Sequence, residues 1–181
     1  MTKKLTKQEY LEKRYDKLIK EAQNLMEEYG LDLIPIKVNP RLKTSQGRFV
    51  FFEAGDFMEP FEIELNTSML IQEDDVFRQI LLHEVAHYIT RSQHSYLRDP
   101  HGEEFVNTCH KIGCTLTGAY NNIVRQLYSI SCSKCGKYCG GTFSKAKANK
   151  YTTKHYHSRC CDSSLKVEIN KDIEEKMKNF K

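Results

Sequence analysis

Residues 83–87 read His-Glu-Val-Ala-His. On a helix, positions four apart lie one turn from each other on the same face. His83 and His87 can therefore hold one ion together. Glu84 is turned by about 100° from His83 around the helix axis. That puts its carboxylate beside such an ion rather than on it, where it would act as a general base on metal-bound water. The preceding Ile80, Leu81 and Leu82 are apolar; they would anchor the helix and leave the histidine face toward a cleft. Two histidines on a helix also fit a blander description, as hydrogen-bonded core residues. A catalytic zinc needs a third protein ligand and an open position for water. The longer pattern HExxHxxGxxH is absent, since Thr90 and Gln93 stand at its last two fixed positions. His94 and His101 are the downstream candidates. His101 follows Pro100 at the expected start of a helix, from which a side chain can be aimed back at the first two.

A second cluster is built on sulfur. Five of the seven cysteines, Cys132, Cys135, Cys139, Cys160 and Cys161, fall within thirty residues. In a reducing compartment such clustering points to metal rather than to disulfides. Cys132 and Cys135, followed by Gly136, form a CxxC knuckle, half of a structural zinc site that requires four ligands. The second half lies in "YHSRCCDSSL". His157 pairs with Cys160 as HxxC or with Cys161 as HxxxC. A site using both adjacent cysteines is a strained alternative, and Cys139 is close enough in sequence to intrude. The preferred set is Cys132, Cys135, His157 and Cys160. Roughly forty residues with few large apolar side chains would scarcely fold without such an ion. Cys109 and Cys114 fit no knuckle and read as core thiols.

Charge divides the chain in the same place. Residues 1–131 carry 16 Lys/Arg and 19 Asp/Glu, whereas residues 132–181 carry 12 and 5. Lys134, Lys137, Lys145, Lys147, Lys150, Lys154 and Arg159 interleave with Tyr138, Phe143, Tyr151 and Tyr156. Rings that stack on bases and cations that meet phosphates suit single-stranded nucleic acid; the same rings could instead pack a small sheet. Hydrophobic content is 39% and charged content 29%. No apolar run approaches the ~20 residues that span a bilayer. "MTKKLTKQEYLEKRYDK" lacks a signal-peptide core, so a cytoplasmic location without membrane contact is expected.

The elements that must position these residues follow from periodicity. Residues 6–29 predict an amphipathic helix, opened by a Thr6–Glu9 capping box and stopped by Gly30. Residues 33–39, 47–53 and 61–66 predict strands. "FEIELN" (61–66) alternates acidic and apolar side chains, which buries one face. Residues 73–90 predict the histidine-bearing helix, with Asp74 and Asp75 favoured by its N-terminal dipole and Val76, Ile80, Leu81 and Val85 on its buried side. A third helix is expected over 101–113, with Phe105, Cys109 and Ile112 on one face and Gly113 as its stop. Residues 115–129 are ambiguous. Residues 130–169 read as short strands around a metal, and 170–181 as a polar tail compatible with a helix.

"LLHEVAHY" followed by "HGEEF" resembles the SprT-like zinc metalloproteases, whose relatives include the eukaryotic protease that removes proteins crosslinked to DNA. "VNPRLKTSQGRF" (38–49), "IELN" (63–66) and "CSKCG" (132–136) extend the resemblance over roughly residues 10–169. It implies an α+β fold: a zincin-like metalloprotease domain over 1–129, helices packed on a small sheet, then a zinc ribbon over 130–169 and a tail over 170–181. It implies two Zn2+ ions, one catalytic and one structural. His83, His87 and His101 would hold the catalytic ion, with Glu84 as base and then proton donor in peptide hydrolysis. Tyr88, Tyr96 and Arg98 are candidates for a second electrophile. "FEIELN" is the candidate edge strand that pairs with extended substrate. Expected partners are protein substrates and DNA, single-stranded or nicked, met through the basic ribbon. The family's usual second CxxC is missing here. The competing expectation is a non-catalytic nucleic-acid-binding protein on a protease scaffold; Glu84 argues against it, because a purely structural site needs no base.

Overall fold

The computed structural model describes residues 4–42, 44–55, 57–94, 97–115, 126–153 and 155–180. The chain is a mixed α+β protein whose contacts divide it into two compact units, Met1–Ile123 with Phe180 and Val124–Asn179 with Lys181.

In the first unit the predicted N-terminal helix is two helices, α1 (Lys7–Arg14) and α2 (Asp16–Glu28). The Thr6–Glu9 capping box opens α1, with both reciprocal hydrogen bonds made. The break falls at Tyr15, where no glycine or proline announces it. Tertiary contacts hold the break: the buried Tyr15 ring stacks on Phe77, with centroids 3.7 Å apart, and its hydroxyl donates to the carbonyls of Met69 at 3.0 Å and Gln72 at 2.8 Å. Gly30 ends α2 with φ +68°, as a left-handed helix stop requires.

Three strands follow, β1 (Ile36–Asn39), β2 (Gly47–Ala54) and β3 (Phe57–Asn66). They form one sheet in the order β1-β3-β2. β1 runs parallel to β3, pairing Ile36 with Ile63, and β2 runs antiparallel to it, pairing Phe49 with Ile63. The strand holding "FEIELN" is therefore central, which corrects its expected place at the edge. Its alternation reports one buried face, through Ile63 and Leu65, and carries no information about how many neighbours it has. The two edges are β1 and β2. Gln8 closes the β1 edge: its amide donates to the Ile36 carbonyl at 3.0 Å and accepts from the Val38 N–H at 3.0 Å.

A short 3-10 helix over Thr67–Ile71 leads to α3 (Asp74–Gln93), with Asp74 and Asp75 in its first turn. Eleven residues of α3 are buried, from Val76 to Thr90. They surround the helix rather than forming the single stripe expected from Val76, Ile80, Leu81 and Val85. α4 (Glu103–Ile112) packs on α3 and ends at Gly113, φ +74°. The ambiguous stretch 115–129 falls largely at 116–125, outside the described residues.

The second unit is a sheet in the order β5-β4-β6, from β4 (Tyr128–Cys132), β5 (Tyr138–Thr142) and β6 (Leu165–Ile169), all antiparallel. A helix not foreseen in the sequence, α5 (Lys145–Tyr151), packs on it through the buried Ala148. The tail holds a further short helix, α6 (Lys171–Met177). Among the described residues no helix is long and apolar enough to cross a membrane.

Candidate functional site

His83 and His87 project from α3 and His101 from the turn before α4. The His83 and His87 Nε2 atoms are 3.2 Å apart, and those of His83 and His101 3.3 Å. Two nitrogens bound tetrahedrally at ~2.05 Å to one zinc would lie about 3.3 Å from each other. The trio thus has the spacing of ligands to a common ion, and three hydrogen-bonded core imidazoles have no reason to converge on one another. The turn carrying His101 is fixed locally: its N–H donates to the Asp99 carboxylate at 2.9 Å, and the Gly102 N–H to the Asp99 carbonyl at 3.0 Å. Thr90 and Thr108 tie α3 to α4 by a buried hydroxyl pair at 3.1 Å.

Phe105, from α4, is buried beneath the three imidazoles, its centroid 4.9, 4.4 and 4.9 Å from those of His83, His87 and His101. Sequence reasoning placed Phe105 on a helix face but gave it no part in the site. Burial, followed by the neighbouring His83 and His101, lowers the His87 pKa to about 3. Burial also lowers that of His101. Both favour the neutral imidazole, which is the form that ligates a metal. His94, the alternative third ligand, caps the C-terminus of α3, exposed, and is not in the group.

Glu84 is only 6% exposed. It faces β2, where its Oε2 accepts the Phe49 N–H at 3.0 Å. Burial pushes its carboxyl up to about 7, against the opposing pull of His83 and of the Phe49 N–H. A carboxyl poised there can both take and return a proton near neutral pH. Of the proposed electrophiles, Tyr88 donates its hydroxyl to the Asp32 carbonyl at 3.2 Å. Arg98 is exposed, and Tyr96 lies outside the described residues.

In the second unit Cys132, Cys135, Cys160 and Cys161 bring their sulfurs within 4.8 Å of one another. The Cys135–Cys160 pair is at 3.5 Å, near the ~3.8 Å expected of two thiolates on a tetrahedral zinc. His157, of the preferred Cys132, Cys135, His157, Cys160 set, is not among these four, and Cys161 is. The His157 Nδ1 lies 3.2 Å from the Asp162 carboxylate. The reason is local: Asp162 takes a left-handed φ of +47°, and its N–H donates to the Ser158 carbonyl at 2.9 Å. That tight turn presents both adjacent cysteines to the first knuckle. Gly136, φ +72°, makes the matching turn there, its N–H donating to the Cys132 carbonyl at 2.9 Å. The buried Ser158 hydroxyl donates to the Cys132 sulfur at 3.2 Å, which favours the thiolate. Cys139 stands outside the four, exposed.

Lys134, Lys137, Lys145, Lys147, Lys150 and Arg159 are all exposed, as are Tyr138 and Tyr156; Lys154 lies outside the described residues. Tyr151 and Phe143 are half-buried, Tyr151 edge-on to Tyr156 at 5.3 Å. Cys109 and Cys114 are buried in the first unit.

Both residue groups could hold a metal by the chemistry of their donors: three imidazoles, one short of the four ligands of a tetrahedral ion, and four sulfurs in a closed set. A family model described as the SprT-like family matches residues 10–127, well over half of the chain and inclusive of all three histidines and Glu84. None of the curated proteins matches it.

Proposed function

The chain belongs to the SprT-like family, and from that premise we propose that it is a zinc-dependent endopeptidase of cytoplasmic setting. The observation that carries the reading is the convergence of three imidazole nitrogens at 3.2 and 3.3 Å beside a buried carboxyl. His83, His87 and His101 hold the ion. Bound zinc supplies a Lewis acid that polarises water and the scissile carbonyl. Glu84 takes the proton from the attacking water and then delivers it to the leaving amine. Phe105 keeps the floor of the site dry and the imidazoles in register. Substrate docks in extended form along the β2 edge, since that edge borders Glu84 while Gln8 blocks the other. Main-chain pairing of this kind reads few side chains, so broad sequence tolerance is expected.

The second unit, a zinc ribbon in this reading, meets DNA. Its exposed lysines, with Tyr138 and Tyr156 beside them, match the stacking-plus-phosphate mode of single-strand binding. Substrates are then proteins bound or crosslinked to DNA. The test is to incubate zinc-loaded protein with a DNA-binding protein, with and without single-stranded DNA, beside the Glu84→Gln variant. Cleavage that requires both Glu84 and DNA supports the whole reading. Cleavage indifferent to DNA supports the peptidase alone. No cleavage with both ions bound, but retention of DNA, would leave a non-catalytic nucleic-acid-binding protein.

A further inference from the structure

We propose that Gly47 is a positioning residue for Glu84: the bare Cα of Gly47 and the outward N–H of Phe49 form a cradle that fixes the carboxylate beside the three imidazoles. The proposal rests on the reading of Glu84 as the base and names what holds it in place.

Gly47 opens β2 and is buried. Its backbone does not demand glycine, because it is not among the glycines with positive φ. The demand comes from space. A Cβ built at position 47 would lie 2.6 Å from Glu84 Oε1, 2.7 Å from Cγ and 2.9 Å from Cδ. A clash with the terminal oxygen alone would be relieved by rotating the carboxylate. The contact with Cγ is not so relieved; the side chain as a whole has to leave, or β2 has to move off α3.

The other wall of the cradle is the backbone of the same strand. Oε2 accepts the Phe49 N–H at 3.0 Å, while Oε1 lies over the Gly47 Cα. Both contacts are rigid, because Gly47 pairs with Leu65 and Phe49 with Ile63 on the central strand. One carboxylate oxygen is thus held by a donor and the other by the lack of a side chain. Catalytic geometry is sensitive at this scale: a shift of about 1 Å in a reacting group can lower a rate by about 100-fold.

The experiment uses the full chain, zinc-loaded, in the DNA-dependent cleavage assay, comparing wild type with Gly47→Ala. The expected result is a fall in kcat of about 100-fold, with zinc stoichiometry unchanged, since the three histidine ligands are not altered. A second measurement guards against misfolding. Thermal unfolding of Gly47→Ala is compared in the wild-type and Glu84→Ala backgrounds. The added methyl should lower the melting temperature when Glu84 is present and leave it unchanged when the carboxylate has been removed. Unaltered kcat in Gly47→Ala, with an active wild type, overturns the positioning role and leaves the protease reading intact. An equal melting loss in both backgrounds also overturns it, because the clash would then lie elsewhere. A zinc-loaded wild type that cleaves nothing removes the protease reading, and the positioning role falls with it.

Discussion

Replacing Glu84 by glutamine in the zinc-free protein is expected to stabilise it at alkaline pH while abolishing activity when zinc is restored. Glutamine has nearly the same shape, so it fits the space over Gly47 and its amide oxygen still accepts the Phe49 N–H. What it removes is a charge. An ordinary glutamate carboxyl titrates near 4.5, and burial raises this one to about 7. The folded chain therefore binds this proton more tightly than the unfolded chain does. Below pH ~4.5 both states are protonated and the group contributes nothing. Between pH ~4.5 and ~7 the unfolded chain releases its proton first, and stability falls as pH rises. Above pH ~7 both are ionised and the loss is complete. At about 1.4 kcal/mol per tenfold change in proton affinity, that loss is about 3 kcal/mol, a large part of a typical domain's stability. Glu84→Gln should recover most of it at pH 8 and none of it at pH 4.5. Urea titrations read from the NMR methyl signals of Ile80 and Ile89, both buried on α3, would measure the first unit without interference from the second. Equal stabilities at pH 8, or a difference that grows toward acid, would refute the reasoning.

Three further outcomes are expected. Phe105→Ala removes the ring under the histidines and should weaken zinc at the three-histidine site by about 10- to 100-fold, as loss of outer-shell support commonly does; competition with a chromophoric chelator checks this, and unchanged affinity would deny the ring its role. Cys161→Ser should lower zinc content by one ion per chain after dialysis against a weak chelator, whereas His157→Ala should leave it unchanged; the reverse pattern would restore His157 as ligand. Gln8→Ala opens the β1 edge and strips hydrogen bonds from Ile36 and Val38, with an expected loss of about 1–3 kcal/mol by urea unfolding; no loss would mean that water replaces the amide fully.

What the sequence made legible is what depends on neighbours along the chain. The capping box at Thr6 and Glu9, the stop at Gly113 and the shared face of His83 and His87 all follow from spacings of four residues or fewer. His101 was different. Spacing alone left it level with His94, and only the family resemblance separated them, because its approach depends on how α4 is laid against α3. The same limit explains the adjacent cysteines. Spacing prefers HxxC over HxxxC only narrowly; the left-handed turn at Asp162, which nothing in the composition announces, turns Cys160 and Cys161 to the knuckle together and His157 toward Asp162. α3 gave a poor amphipathic signal for a physical reason too: it is enclosed by α2, α4 and the sheet, so apolar residues are needed all round it. The least legible feature is the one closest to the proposed chemistry. Gly47 stands thirty-seven positions before Glu84 in a stretch that reads only as a strand, and glycine weakens a strand. Its presence there makes sense only once α3 crosses the β2 edge and a carboxyl needs the room that a Cβ would fill. A residue unfavourable to its own element is therefore a better pointer to a site than one that merely fits, since the fold retains it for the sake of something beyond the strand.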